Sequence, residues 1–242
     1  MADPTAAALL IYDIYDFPNK YIDYVDVPWN IPVGLWRSVT LSQNSFFAES
    51  AVDEAAVALK QDPYGFRRAM LAGHPRIRNV LDAAARLAGW DQPLPPGRGR
   101  GVAVSAGFGS TCAQVVEVSV DDGRLRVHRI SCAFDCGQQI DPGMIRAQIE
   151  GGILFGLSAA LLGSVTFRDG AVVESNFHDQ PILRINETPE LAIALIDSDA
   201  PPGGVGEAAV PAVAPALTNA VFAASGQRIR RLPLSASGLS VA

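Results

Sequence analysis

The order of elements in this sequence predicts an α+β fold, with mixed or antiparallel sheets and packed helices. Three observations carry that prediction. Residues 112–137, "CAQVVEVSVDDGRLRVHRISCAFDCG", read as a long β-hairpin turning at Asp122-Gly123. Several other stretches carry the punctuation of helices, with Asp or Pro at the start and Gly at the end. Strands and helices also follow one another in mixed order, which leaves α/β as the neighbouring class.

The elements can be justified in chain order. Residues 1–44 are rich in Tyr, Asp, Pro and Trp and show no helical period. Within them "NKYIDYVDVPWNIPVG" reads as extended, its prolines marking edges or turns. From Ser45, "NSFFAESAVDEAAVALKQD" is a helix with Phe47, Ala51, Ala55 and Ala58 at helical spacing, closed by Pro63. "DPYGFRRAML" and "HPRIRNVLDAAARLAGW" are two more helices, opened by Pro63 and Pro75, with Gly89 as a C-terminal cap. The Pro/Gly-rich "DQPLPPGRGRG" (91–101) is the best candidate for an internal boundary, dividing the chain into residues 1–90 and 91–242.

Beyond it, Val116, Val118 and Val120 alternate with polar residues, and Leu125, Val127 and Ile130 form the return strand. "DPGMIRAQIEGGILFGLSAALLG" is a buried helix capped by Asp141, with Pro142 at its first position. Gly151, Gly152 and Gly156 weaken that helix, which implies that something packs closely against it. "SVTFRDGAVVES" is a second hairpin around Asp169-Gly170, and "ELAIALID" is a strand. Residues 211–225 form a last helix with Val213, Leu217 and Val221 on one face, ended by Gly226.

Composition narrows the function classes. The chain has 242 residues, enough for one large domain or two small ones. With 49% apolar and 18% charged residues it is neither disordered nor heavily solvated, and so low a charge fits a surface partly covered by another polypeptide. A net charge of −6 argues against a nucleic-acid partner, and Arg228, Arg230 and Arg231 read as a solvated or salt-bridged end. Cys112, Cys132 and Cys136 read as reduced, buried thiols, since the C-x3-C pair lacks a second pair of metal ligands. No apolar run approaches the length of a membrane span, and the first residues lack the basic region of a secretory signal, so a soluble chain is expected.

The most informative stretch is "PPGGVGEAAVPAVAP" (201–215), in which Glu207 is the only charge among small apolar residues, Gly and Pro. Isolating an ionised carboxylate in apolar surroundings is costly. The plain account is a helix-start carboxylate favoured by the macrodipole. The functional account is a buried general base beside glycines that let another group approach. "GLWRSVTLSQN" (34–44) sets Arg37 in a dense polar loop, with a solvent loop as the plain alternative. "RAQIEGGILFG" (146–156) places Gln148 and Glu150 on an apolar helix, where a buried amide needs partners. Phosphate-binding, dinucleotide-binding, zinc-protease and serine-hydrolase signatures are missing, and His74, His128 and His178 lie far apart with structural roles expected.

Taken together, "WRSVTLSQNSFFAESAVDEAA", "GWDQPLPPGRGRG", "RAQIEGGILFGLSAAL", "SNFHDQPILRINETPE" and "PPGGVGEAAVPAVAPALTNAVFAASG" resemble the C-terminal part of a molybdenum hydroxylase large subunit. The resemblance is to the xanthine dehydrogenase and aldehyde oxidoreductase family, in its isoquinoline 1-oxidoreductase branch (the β-subunit type), and covers nearly the whole chain from about Asp16. It implies the C-terminal half of a molybdopterin-binding domain in residues 91–242 and an active-site loop with helices in 1–90. It implies Glu207 as the base that activates a water-derived nucleophile at the metal. By the same resemblance Arg37, Gln43, Gln148, Gly204 and Gly206 contact or make room for the cofactor, and no side chain ligates the metal directly.

The implied cofactor is molybdopterin cytosine dinucleotide. Implied partners are an N-terminal molybdopterin-binding chain or segment, a small subunit carrying [2Fe-2S] clusters, a cytochrome c, and a small-molecule substrate. Three scattered cysteines cannot hold such a cluster here. Val39 stands where xanthine-type relatives carry a substrate-stacking aromatic, which disfavours purines, and Thr40 and Leu41 replace the usual small residues. The expected reaction is hydroxylation of an N-heteroaromatic ring carbon or oxidation of an aldehyde. Two rivals are a non-catalytic scaffold descended from such an enzyme, and a hydrolase pairing Glu207 with Asp179, Glu187 or Asp197.

Overall fold

The computed structural model describes residues 6–7, 14–25, 27, 31 and 34–241. Part of the stretch expected to be extended (26, 28–30 and 32–33) lies outside the described residues. The helices are α1 (Leu41–Ala58), α2 (Pro63–Met70), α3 (Pro75–Ala88), α4 (Pro142–Leu162) and α5 (Val213–Ser225). The strands are β1 (Arg98–Gly107), β2 (Ser110–Asp121), β3 (Arg124–Asp135), β4 (Phe167–Arg168), β5 (Ala171–Val172), β6 (Glu190–Leu195) and β7 (Ser240–Val241).

The class is α+β with a mixed sheet, as the sequence predicts. β1, β2 and β3 form an antiparallel meander, and β6 and β7 both pair with β3 in parallel. The turn at Asp122-Gly123 has φ of 44° and 76°, and the smaller hairpin β4–β5 turns at Asp169-Gly170 with 52° and 80°. Both are the left-handed pairs that two-residue hairpin loops require. A register shift between Glu117 and Val118 leaves His128 as an extra residue in β3. That bulge is why the return strand reads Leu125, Val127, Ile130 rather than in strict alternation.

One face of the sheet buries Ala103, Cys112, Val116, Ile130, Cys132 and Phe134 against α4 and α5. The other buries Val102, Val104, Ala113, Val115 and Ala133 against Val52, Leu71, Val80, Leu81 and Ala84 of the first helices. The second of these apolar cores runs across the 90/91 position. The Pro/Gly-rich connection is shorter than residues 91–101 suggest, because "RGRG" already belongs to β1. Glycine is needed there for contact: a Cβ on Gly101 would collide with the backbone of α5 at Ala216 and Ala220.

Two helices differ from expectation. α1 does not bury Phe47, Ala51 and Ala58, which face solvent; it buries Phe46, Glu49, Val52, Asp53 and Ala56. Electrostatics turns the helix. Arg67 on α2 is fully buried, with Nε 2.8 Å from Glu49 Oε2 and Nη1 3.5 Å from Asp53 Oδ1. Tyr15 Oη donates to Glu49 Oε1 at 2.6 Å, and Arg228 Nη1 donates to Asp53 Oδ2 at 2.8 Å. Burial alone would weaken the hold of the Arg67 guanidinium on its proton, but Glu49, Tyr15 and Asp53 outweigh it and raise its pKa. α4 is the second case: its 21 residues are long and apolar enough to cross a membrane by length and composition, which corrects the expectation of no such run. Here its Ile145, Ile149, Ile153, Leu157 and Leu161 pack into the domain core. Close packing is confirmed at Gly152 and Gly156, against Val210 and Val213, but Gly151 is exposed with nothing nearby.

Arg67→Met is expected to destabilise the protein by about 3–5 kcal/mol in urea unfolding, because it strands the buried Glu49 carboxylate. Gly101→Ala is expected to cost about 3 kcal/mol in the same measurement, since α5 must move off the sheet to admit a methyl group. A change below about 0.5 kcal/mol in either would refute its packing argument.

Candidate functional site

Residues 203–210 form no helix or strand, so their backbone groups need partners from elsewhere. The sheet supplies the first set. Gly203 N donates to Cys136 O at 2.7 Å, Gly204 N to Phe108 O at 2.7 Å, and Ser110 Oγ to Gly204 O at 2.8 Å. From β2, the fully buried Gln114 donates through Nε2 to Ala209 O at 2.7 Å. Arg76 on α3 braces the end of β3 through a two-pronged contact with Asp135, at 2.7 and 2.8 Å. Burial alone would raise the Asp135 carboxyl, but the Arg76 guanidinium and the Gly137 N–H hold it below the usual range.

The second set comes from the loop ahead of α1. Arg37 Nε donates to Gly206 O at 2.6 Å, and its Nη2 donates to Gln148 O at 3.3 Å and Gln148 Oε1 at 3.2 Å. Its guanidinium carbon lies 5.6 Å from the centre of the Phe155 ring, which in turn packs 4.7 Å from Trp36. Ser38 N donates to Glu207 Oε1 at 3.0 Å, and Ser38 Oγ to Glu207 O at 2.6 Å. Ser38 and Val39 take φ of 76° and 45°, unusual for side chains other than glycine and severe for a β-branched valine.

Glu207 is half-buried and lies six residues ahead of α5, so it is not the carboxylate of that helix's first turn. The segment just before it, Pro202, Gly203, Val205 and Gly206, lines a cavity of about 430 Å³ together with Cys136, Gln138 and the first turns of α4 as far as Gln148; Glu207 itself is not one of its walls. Gly206 keeps one side open: a Cβ there would meet only Gln148 Oε1, at 3.9 Å. Gly204 differs, since a Cβ would press on Phe108 at 3.0 Å, so its smallness serves packing within the chain.

Of the site residues expected from the sequence, Arg37, Gln148, Gly206 and Glu207 are thus brought together, with Gly204 just behind. Gln43 is not among them. It sits exposed on the first turn of α1 and lines a separate, mostly apolar cavity of about 350 Å³ with Trp36, Phe46, Phe47 and Val210. From the sequence Ser38 is only one of the polar residues of the loop 34–44 and Gln114 is unmarked, because each acts on a segment more than 90 positions away. The carboxylates a hydrolase would need are engaged elsewhere: Asp179 accepts from Asn176 N, Glu187 from Arg184 N, and Asp197 from Gln139 Nε2. The three cysteines are buried, with Cys112 Sγ and Cys132 Sγ 3.6 Å apart. Among the described residues no three His, Cys, Asp or Glu side chains cluster as metal ligands.

Residues 81–189 match the model of a molybdopterin cofactor-binding domain. The chain is 34% identical over 225 residues to the beta chain of isoquinoline 1-oxidoreductase from Brevundimonas diminuta, covering 91% of this chain and 29% of that protein. It is 31% identical over 248 residues to a nicotinate dehydrogenase subunit from Pseudomonas putida, covering 94% of this chain and 21% of that protein. The fold matches quinoline 2-oxidoreductase of Pseudomonas putida 86 with a TM-score of 0.74, at 13% identity, over 84% of this chain and 52% of that one. The chain thus spans less than a third of the length of these two curated relatives. With an α+β fold, a cofactor-domain match and this identity along nearly its whole length, the chain belongs to the molybdenum hydroxylase family, in the C-terminal part of the molybdopterin-binding large subunit.

Proposed function

We propose that this chain supplies the catalytic base and one wall of the cofactor cavity of a molybdenum-dependent oxidoreductase. The assembled enzyme hydroxylates an N-heteroaromatic ring carbon or oxidises an aldehyde, with water as the source of oxygen. One observation carries the reading: a carboxylate with no cation paired to it among the described residues directly follows Gly206, which lines a cavity with Gly203 and Gln148, and is held by the loop that carries Arg37.

The residues fit a pterin-type group. Gly206 leaves space that any side chain would fill. Arg37 spends its donors on carbonyl and amide oxygens, so its charge is not cancelled by an ion pair among the described residues and favours an electron-rich ligand nearby. The Gln148 amide nitrogen makes no hydrogen bond among the described residues and is free to donate. Arg37, Gln148 and Gly206 would therefore hold molybdopterin cytosine dinucleotide, with Gly204 packing behind them against Phe108, and Gln43 would reach it only from the neighbouring apolar cavity. When bound, the cofactor supplies the metal centre at which water is activated and electrons are collected.

The work of the chain's own residues follows from their contacts. Glu207 accepts the proton lost by the water-derived nucleophile, and Arg37 fixes Gly206 so that the carboxylate keeps its place. Val39 leaves the substrate side of the loop without a stacking ring. Electrons would leave through [2Fe-2S] clusters on a small partner subunit and pass to an acceptor such as a cytochrome c. The remaining wall would come from an N-terminal molybdopterin-binding chain or segment. Support for such covering comes from Leu35, Trp36 and Phe155, large apolar side chains left 92%, 43% and 38% exposed on and against the loop that carries Arg37.

In the assembled enzyme, Glu207→Gln is expected to preserve folding and cofactor content and to lower kcat by a factor of about 10²–10⁴, the range for loss of a general base. Turnover within about threefold of the unaltered enzyme would overturn the assignment, a difference under about 1 kcal/mol.

A further inference from the structure

We infer that Ser38 is the positioning residue for the Glu207 carboxylate, fixing which of its two oxygens takes up a proton; this rests on Glu207 being the base. A single residue grips Glu207 at both ends. The Ser38 amide donates to Oε1 at 3.0 Å, and the Ser38 hydroxyl donates to the main-chain oxygen of Glu207 at 2.6 Å. Ser38 is fully buried, so water does not compete at its end of either bond.

The grip leaves the two carboxylate oxygens unequal. Oε1 is occupied by the amide, whereas Oε2 makes no hydrogen bond among the described residues. Proton uptake then falls to Oε2. With both the backbone and the carboxylate of Glu207 fixed, much of the orientational cost of proton transfer is met before substrate arrives.

The backbone at this point supports a function beyond packing. Ser38 and Val39 stand at φ of 76° and 45°, and neither is glycine. Such conformations persist where surroundings over-determine them. Here Val39 N donates to Trp36 O at 2.8 Å, Leu41 N to Ser38 O at 3.0 Å, and Arg37 is tied to Gly206 and Gln148. Glycine at position 38 would adopt this φ without strain, yet could not make the hydroxyl bond to Glu207.

The test is residue-resolved amide hydrogen exchange on the assembled enzyme, with kinetics alongside. The Ser38 amide should be protected in the unaltered protein. Glu207→Ala removes its acceptor while keeping the main-chain oxygen, and should speed exchange at Ser38 roughly tenfold, the equivalent of one hydrogen bond. Glu207→Gln retains an acceptor and should keep the protection. Ser38→Ala breaks only the hydroxyl bond and should lower kcat about tenfold with KM within about twofold. Unchanged exchange in Glu207→Ala overturns the inference, as does a Ser38→Ala effect confined to KM. If Ser38→Ala fails to assemble, the exchange contrast between the two Glu207 variants decides the matter alone. Near-normal turnover by Glu207→Gln with Ser38 still protected would refute the base while leaving the contact itself established.

Discussion

Arg67 is a charge without solvent, and the placement of the site follows from how that charge is neutralised. A buried guanidinium needs a geometry in which anions and carbonyls use its donors. Glu49 and Asp53, one turn apart on α1, provide it, together with the Glu49 main-chain oxygen at 2.8 Å. Asp53 also takes Arg228, which stacks over Phe222 of α5 at 3.6 Å. Asn219 of α5 receives Arg228 through Oδ1 at 3.2 Å and donates to Val102 O of β1 at 3.3 Å. One polar network thereby fixes α1 against α2, α5 and the sheet. α1 begins at Leu41, three residues after Ser38, so whatever holds α1 also sets the loop that meets Glu207.

The other half of the site is a segment of small residues with no helix or strand, glycine at 203, 204 and 206. Ala208, Ala209 and Val210 anchor its end in the core, and the stretch before them takes its shape from hydrogen bonds that other residues make to its main chain. Phe108, Ser110, Gln114 and Cys136 hold the segment from the sheet side, and Arg37 and Ser38 from the other. The missing side chain at Gly206 leaves the cavity open there. Strain at Ser38 and Val39 is confined to the point where the two halves meet.

This division of labour suits a cofactor domain that is one part of a larger assembly. The sheet and its two layers of helices are closed and self-sufficient, with charges paired inside. The face around Arg37 is not: it exposes the large apolar side chains Leu35, Trp36 and Phe155 and a cation satisfied by neutral oxygens. The proposed function accounts for so small a set of polar residues there: if a bound cofactor supplies the demanding chemistry, the chain need only orient it and move protons.

The sequence alone determined whatever depends on near neighbours. Asp-Gly turns, proline starts, glycine caps at Gly89 and Gly226, the Asp141 cap and the hairpin register all follow from local backbone preferences, and the structure keeps them. The motifs around Arg37, Gln148 and Glu207 were legible because the residue types are out of keeping with their apolar or glycine-rich settings. Tertiary structure decided what depends on distant partners. Spacing suggested that α1 buries Phe47, but Arg67 lies elsewhere in the chain and turned Glu49 and Asp53 inward. "RGRG" looked like a linker until α5 came to rest on Gly101. Gln43, close to Arg37 in sequence, was carried by the helical twist into a different cavity, and Ser38 gained its role only when residue 207 arrived beside it. Local preference is written in successive residues, whereas pairing across some 170 positions exists only once the chain has closed on itself.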